Sequence, residues 1–93
     1  MRNSHEKNLK RVTLELGGKS ANIITKNANL DLAVNSSMGF FFNAGQVCIA
    51  ASRSYVHSSL YNDFVNRSAE SAKKIVIGHP LDAETGQGPL VSK

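Results

Sequence analysis

Two residues in this chain have the type and setting for covalent chemistry. Cys48, the only cysteine, lies in FFFNAGQVCIAASR (residues 40–53), after an aromatic run and inside a segment of small residues. A thiol placed where Ala50, Ala51 and Ser52 begin a short helical turn feels the positive end of the backbone dipoles, which favours the nucleophilic thiolate. The same residue also reads as a packing thiol, because a free cysteine between Val47 and Ile49 belongs to one of the residue types most often buried. Glu15 is the second candidate. It is flanked by Leu14 and Leu16 and followed at once by Gly17-Gly18, so a carboxylate here ends a strand and points into a cleft. In partly apolar surroundings such a group acts as a general base; without them it is an ordinary solvent-facing strand residue. The pairing of Glu15 with Cys48, 33 residues later, gives the functional reading its weight.

Composition narrows the alternatives. At 93 residues and 41% hydrophobic content, the chain is sized for one small domain and is not a disordered segment. Eleven Lys plus Arg against seven Asp plus Glu leave a formal charge of +4, but the basic residues are scattered, with short pairs only at Lys10-Arg11 and Lys73-Lys74. Binding a phosphate backbone needs a concentrated patch, so nucleic acid is not an expected partner. One cysteine makes no internal disulfide, and His5, His57 and His79 stand far apart, so no metal site is expected. The opening MRNSHEKNLKR lacks the apolar core of a secretory signal, and no run approaches the ~18 apolar residues of a membrane span. The chain reads as soluble and from a reducing compartment, with the cytoplasm as the expected location.

The elements that must position the two residues follow from periodicity. Val12 to Leu16 alternates and is rich in β-formers, which predicts a strand ending at Gly17; Ser20 to Thr25 and Arg53 to His57 are two further strand candidates. Leu30, Ala33, Val34, Ser37, Met38, Phe41 and Phe42 recur at helical steps, which predicts a helix from Asn29 to Asn43 with Asn29 as its cap and Asp31 in its first turn. A second helix is expected from Leu60 to Ile77, capped by Ser59 and stopped by Gly78 and Pro80. The order is β-β-α-β-α. A parallel sheet of this kind needs more strands and covering helices than 93 residues supply, so the expectation is a fragment of a larger α/β enzyme.

LKRVTLELGGKSANII (residues 9–24) and FFNAGQVCIAASR (residues 41–53) resemble the two signature segments of the NAD(P)-dependent aldehyde dehydrogenases, the glutamate motif and the cysteine motif. YNDFVNRSAESAKKIVIGHPLDAETGQGP is similar to the segment that follows them, so the resemblance covers nearly the whole chain from Lys7. It implies that residues 1–93 form part of the aldehyde dehydrogenase catalytic domain, an α/β fold with short strands and two main helices. It further implies that Cys48 attacks an aldehyde to give a thiohemiacetal and then a thioester, and that Glu15 activates the water that hydrolyses it. The backbone N–H of Cys48 would supply part of an oxyanion hole. Leu16 and Gly17 would lie beside the nicotinamide of NAD or NADP, and Gln87 of the QGP stretch near the cofactor. The implied partner is a small-molecule aldehyde, the parent enzyme a homo-oligomer, and its location the cytoplasm, with the mitochondrial matrix as the alternative.

The chain also departs from the family pattern. The portions that would carry the dinucleotide fold are absent from these 93 residues, and GQG at 86–88 does not replace a phosphate-binding loop. Between Val34 and Asn43 the chain is about one residue shorter than the pattern. One residue of helix turns every later side chain by about 100°, so the helix end must absorb the difference if Cys48 and Glu15 are to meet across one cleft. A non-catalytic remnant or interaction module derived from the same fold is the alternative reading.

Overall fold

The computed structural model describes residues 10–92. Among them the chain forms, in order, strand β1 (Ala21–Ile24), helix α1 (Leu30–Met38), a 3₁₀ segment (Gly39–Gly45), strand β2 (Arg53–Val56) and helix α2 (Ser58–Lys73). The two strands run parallel in the register Ala21↔Arg53 to Ile24↔Val56. Parallel neighbours cannot be joined by a tight turn, and α1 with the 3₁₀ segment makes the crossover. This is the small α/β piece that the sequence implies, with one strand fewer.

The missing strand is Val12 to Leu16. These residues adopt no regular structure and are exposed throughout. Alternation and β-propensity describe a fit to a pleated surface, but a strand exists only when a neighbour takes its hydrogen bonds, and no described residue pairs with this segment.

Helix α1 begins as expected. The Asn29 side chain accepts from the Leu32 amide at 3.1 Å, and Asp31 stands in the first turn, where a negative charge meets the positive end of the helix. Its end differs from the expected Asn43. The α-helical pattern stops at Met38, tightens through Phe40 and Phe41, and then breaks: Phe42 is extended (ψ 136°), while Asn43, Ala44 and Gly45 have φ of 52°, 57° and 76°. The helical spacing of the apolar residues outlasts the helix itself, and Phe42 is left 75% exposed. This tightened and then left-handed stretch overlaps the segment, Val34 to Asn43, that is expected to be shorter than the family pattern.

Helix α2 starts one residue before Ser59, because His57 caps it: Nδ1 accepts from the Ser59 amide at 3.2 Å and lies 2.9 Å from the Ser59 hydroxyl. It ends at Lys73, short of the expected Ile77. The cause is tertiary, since the Val76 carbonyl accepts from the amides of Gly86 and Gln87 at 2.8 and 3.0 Å, and Gly78 donates to the Gln87 carbonyl at 3.1 Å. Ile77 thereby forms a parallel bridge with Gln87.

The core is small. Ile24, Ala33, Val34 and Phe64 are buried, with Ala28, Leu30, Val56 and Leu60 packed against them, so one face of the strand pair lies under the two helices. Asn22 on that face donates to the Ser37 hydroxyl of α1 at 2.9 Å. An exposed Asp31–Arg67 ion pair at 2.6 Å joins the helices but, being solvated, adds at most about 1 kcal/mol. The other face of the strands carries Ile23 and Tyr55, 70% and 54% exposed. The radius of gyration is 18.2 Å, against about 13 Å for a compact chain of 100 residues.

With so little buried, Phe64 dominates the core. Phe64→Ala removes a buried aromatic, a change that costs about 3–5 kcal/mol in packed cores, and is expected to abolish the cooperative thermal transition followed by far-UV circular dichroism. The neighbouring half-exposed Val65→Ala is expected to leave that transition in place.

Candidate active site

The local chain path explains how Cys48 is presented. After the left-handed residues, the Gln46 amide donates to the Asn43 carbonyl at 3.0 Å and the Asn43 side-chain amide donates to the Gln46 carbonyl at 3.1 Å. Asparagine and glycine tolerate positive φ better than other residues, whereas Ala44 adopts it at a steric cost. The following turn closes with Ala50 N–H donating to Val47 C=O at 3.0 Å, and Cys48 sits in its middle. This is a single turn and not the start of a helix. Cys48 is exposed, so the packing-thiol reading does not describe it.

Glu15, Leu16, Gly17 and Gly18 face this turn. Together with Gly45, Gln46, Val47 and Cys48 they line an open cavity of about 360 Å³. Both Glu15 and Cys48 are exposed and line it, so the nucleophile and base candidates border one open space. The two walls touch closely. A Cβ built on Gly18 would stand 2.5 Å from the Cys48 carbonyl oxygen, closer than any side chain tolerates, while one built on Gly17 meets nothing within 4 Å. Only glycine at position 18 lets the Glu15 segment approach the cysteine turn this far. On the other flank, the Arg53 guanidinium Nε donates to the Lys19 carbonyl at 3.0 Å and the Arg53 amide to the Ser20 carbonyl at 3.4 Å.

Of the five residues singled out in the sequence, four thus border one cavity: Cys48, Glu15, Leu16 and Gly17. Gln87 does not. It lines a separate cavity of about 540 Å³ with Phe41, Phe42, Asn43 and Val76, and its backbone is engaged in the bridge to Ile77. Sequence reasoning took Gly17-Gly18 as a turn signal and passed over the different demands on the two glycines. It also passed over Arg53, whose role depends on a partner 34 residues away. Among the described residues, no group of three His, Cys, Asp or Glu side chains is placed to hold a metal, and no helix is long and apolar enough to cross a membrane.

The family model described as "Aldehyde dehydrogenase family" matches residues 1–93. The chain belongs to the aldehyde dehydrogenase family. Retinal dehydrogenase 2 of Gallus gallus is 59% identical to it over 87 residues, which are 92% of this chain and 17% of that protein. Aldehyde dehydrogenase, cytosolic 1 of Rattus norvegicus is 56% identical over the same extent. Among solved structures, a putative aldehyde dehydrogenase from Burkholderia cenocepacia superposes with a TM-score of 0.86 at 48% identity, covering 99% of this chain and 19% of that one. The NAD+ complex of the Bacillus cereus aldehyde dehydrogenase gives 0.85 at 45% identity, again over 99% of this chain and 19% of that one. The chain therefore spans about a sixth of the length of the family members it matches.

The glycine pair tests how the two walls meet. Gly18→Ala is expected to displace the cysteine turn and change the rate of Cys48 alkylation by iodoacetamide several-fold, whereas Gly17→Ala leaves it within twofold; equal rates in both would refute the close approach.

Proposed function

We propose that this chain is the part of an NAD(P)-dependent aldehyde dehydrogenase that carries the nucleophile, Cys48, and the general base, Glu15. The observation that carries the proposal is that both residues line one open cavity, although they are 33 residues apart in sequence. The substrate is a small-molecule aldehyde, and the relatives named for retinal favour an apolar one.

The chemistry follows from the groups present. The Cys48 thiolate attacks the aldehyde carbon, and the carbonyl oxygen takes up the negative charge. No described carbonyl accepts from the Cys48 N–H, which leaves this donor free to stabilise that oxygen. Covalent capture divides one difficult oxidation into two easier steps. After oxidation Cys48 holds the carbon as a thioester. Glu15 then takes a proton from water as its oxygen attacks that carbon, the sulfur departs, and the carboxylic acid is released.

The residues at the cavity's edge fit a nicotinamide. Leu16 offers an exposed apolar side chain, and the space that a side chain at Gly17 would fill is open. When bound, NAD or NADP supplies the hydride acceptor. The cavity that the described residues line is open to solvent, and positioning of the reacting partners contributes several kcal/mol to such transfers. The 93-residue chain alone is accordingly inactive in this reading, and the complete enzyme carries the activity.

The test is a chimera in which the 87 matched residues of the Gallus gallus relative are replaced by those of this chain. The chimera is expected to form NADH from an aldehyde. Cys48→Ala should remove both the pre-steady-state burst and steady turnover, and Glu15→Gln should keep the burst while lowering turnover about a hundredfold or more, the weight of a general base. The isolated chain should give no NADH above its Cys48→Ala control. A chimera whose turnover survives Cys48→Ala would overturn the proposal, and one that is folded, cofactor-binding and inactive would favour a non-catalytic remnant.

A further inference from the structure

The segment that bears Glu15 has almost nothing of its own to hold it. It is exposed and forms no ladder, and among the described residues the one hydrogen bond that reaches residues 10–19 is that from Arg53 Nε to the Lys19 carbonyl, at 3.0 Å. That bond is accepted next to Gly18, the residue pressed against the Cys48 carbonyl. Arg53 is itself anchored. It is the first residue of β2, paired with Ala21 of β1, and the ring of Tyr55, two residues along on the same face of the strand, lies 6.0 Å from its Cζ, at the outer reach of a cation–π contact. A side chain rooted in the sheet therefore reaches back to the loose segment where that segment meets the cysteine turn.

The geometry points to Arg53 as a positioning residue that holds the Glu15 segment against the Cys48 turn. It acts through a neutral acceptor, so the placed N–H counts rather than the positive charge. That Glu15 must be held there for catalysis rests on the function proposed above; the placement itself does not.

Substitutions at position 53 separate donor from charge. Glutamine carries an N–H donor the same number of bonds from the backbone as arginine Nε, without the charge, whereas lysine keeps the charge and has a methylene at that place. Because Cys48 is the only cysteine, Glu15→Cys in the 93-residue chain places two thiols at the border of one cavity. Dibromobimane, which fluoresces only after both of its arms have alkylated a thiol, reports their closeness as the rate of the intramolecular second step, recognised by its independence of protein concentration. Bridging is expected in Glu15→Cys, to be kept within twofold on adding Arg53→Gln, and to fall about fivefold with Arg53→Lys or Arg53→Ala, the factor carried by one hydrogen bond of ordinary strength. Far-UV circular dichroism should be the same in all four proteins. Equal bridging in all of them, retention by Arg53→Lys with loss in Arg53→Gln, or no concentration-independent bridging at all would overturn the assignment. Bridging reads position and not turnover, so its outcome stands apart from that of the NADH assays.

Discussion

Everything that brings Glu15 near Cys48 depends on the parallel pairing of β1 with β2. Glu15 stands six residues before Ala21 and Cys48 five residues before Arg53, and Ala21 and Arg53 are partners in the register. Because parallel strands start from the same end, both approach segments reach the sheet side by side, and a separation of 33 residues along the chain becomes a shared cavity. In an antiparallel pair the two segments would meet opposite ends of the strands. Binding sites of open α/β sheets commonly lie beyond the carboxyl ends of the strands; here the candidate residues lie ahead of the amino ends, so the register and the approach paths carry the geometry.

The approach paths are built from different materials. Ahead of β2, the backbone is shaped by Asn43, Ala44 and Gly45 at positive φ, locked by two hydrogen bonds between Asn43 and Gln46. Ahead of β1, the described residues have no internal bonding, and the chain is fixed by what it touches: the Cys48 carbonyl at Gly18, the Arg53 guanidinium at Lys19 and the Arg53 amide at Ser20. One wall is thus shaped from within and the other borrowed from its neighbour. Residues kept in strained backbone regions persist only where their surroundings determine them, and on the cysteine side those surroundings are the bonds between Asn43 and Gln46.

The sequence was legible wherever a local signal and the tertiary structure agreed. Asn29 caps α1 because its side chain answers a local orphan amide, and Ile24 and Val56 lie under the helices because β-formers next to turn residues paired as expected. It misled where a partner decides the outcome. Val12 to Leu16 has the alternation of a strand and no neighbour among the described residues to make it one, and Ile75 to Ile77 has helical apolarity yet leaves the helix because Gly86 and Gln87 take the Val76 carbonyl. Of the site, Cys48, Glu15, Leu16 and Gly17 were visible through their motifs. Gly18 and Arg53 were not, because a van der Waals limit and a bond across 34 residues leave no trace in local pattern. Ala44 gave no signal either, since alanine rarely adopts positive φ.

The same register also governs how the chain is made. β1 pairs with residues that lie 32 positions further on, and a parallel partner cannot be supplied early by folding back through a short turn. At a synthesis rate of about 5–20 residues per second, β1 therefore leaves the ribosome on the order of seconds before β2 follows it out. Ile23 and Ile24, which then have neither ladder nor helix against them, are apolar and β-branched, the composition that strand-to-strand misassembly favours. The pairing that places the two candidate residues in one cavity thus also sets the interval in which a nascent chain carries an unpartnered apolar strand.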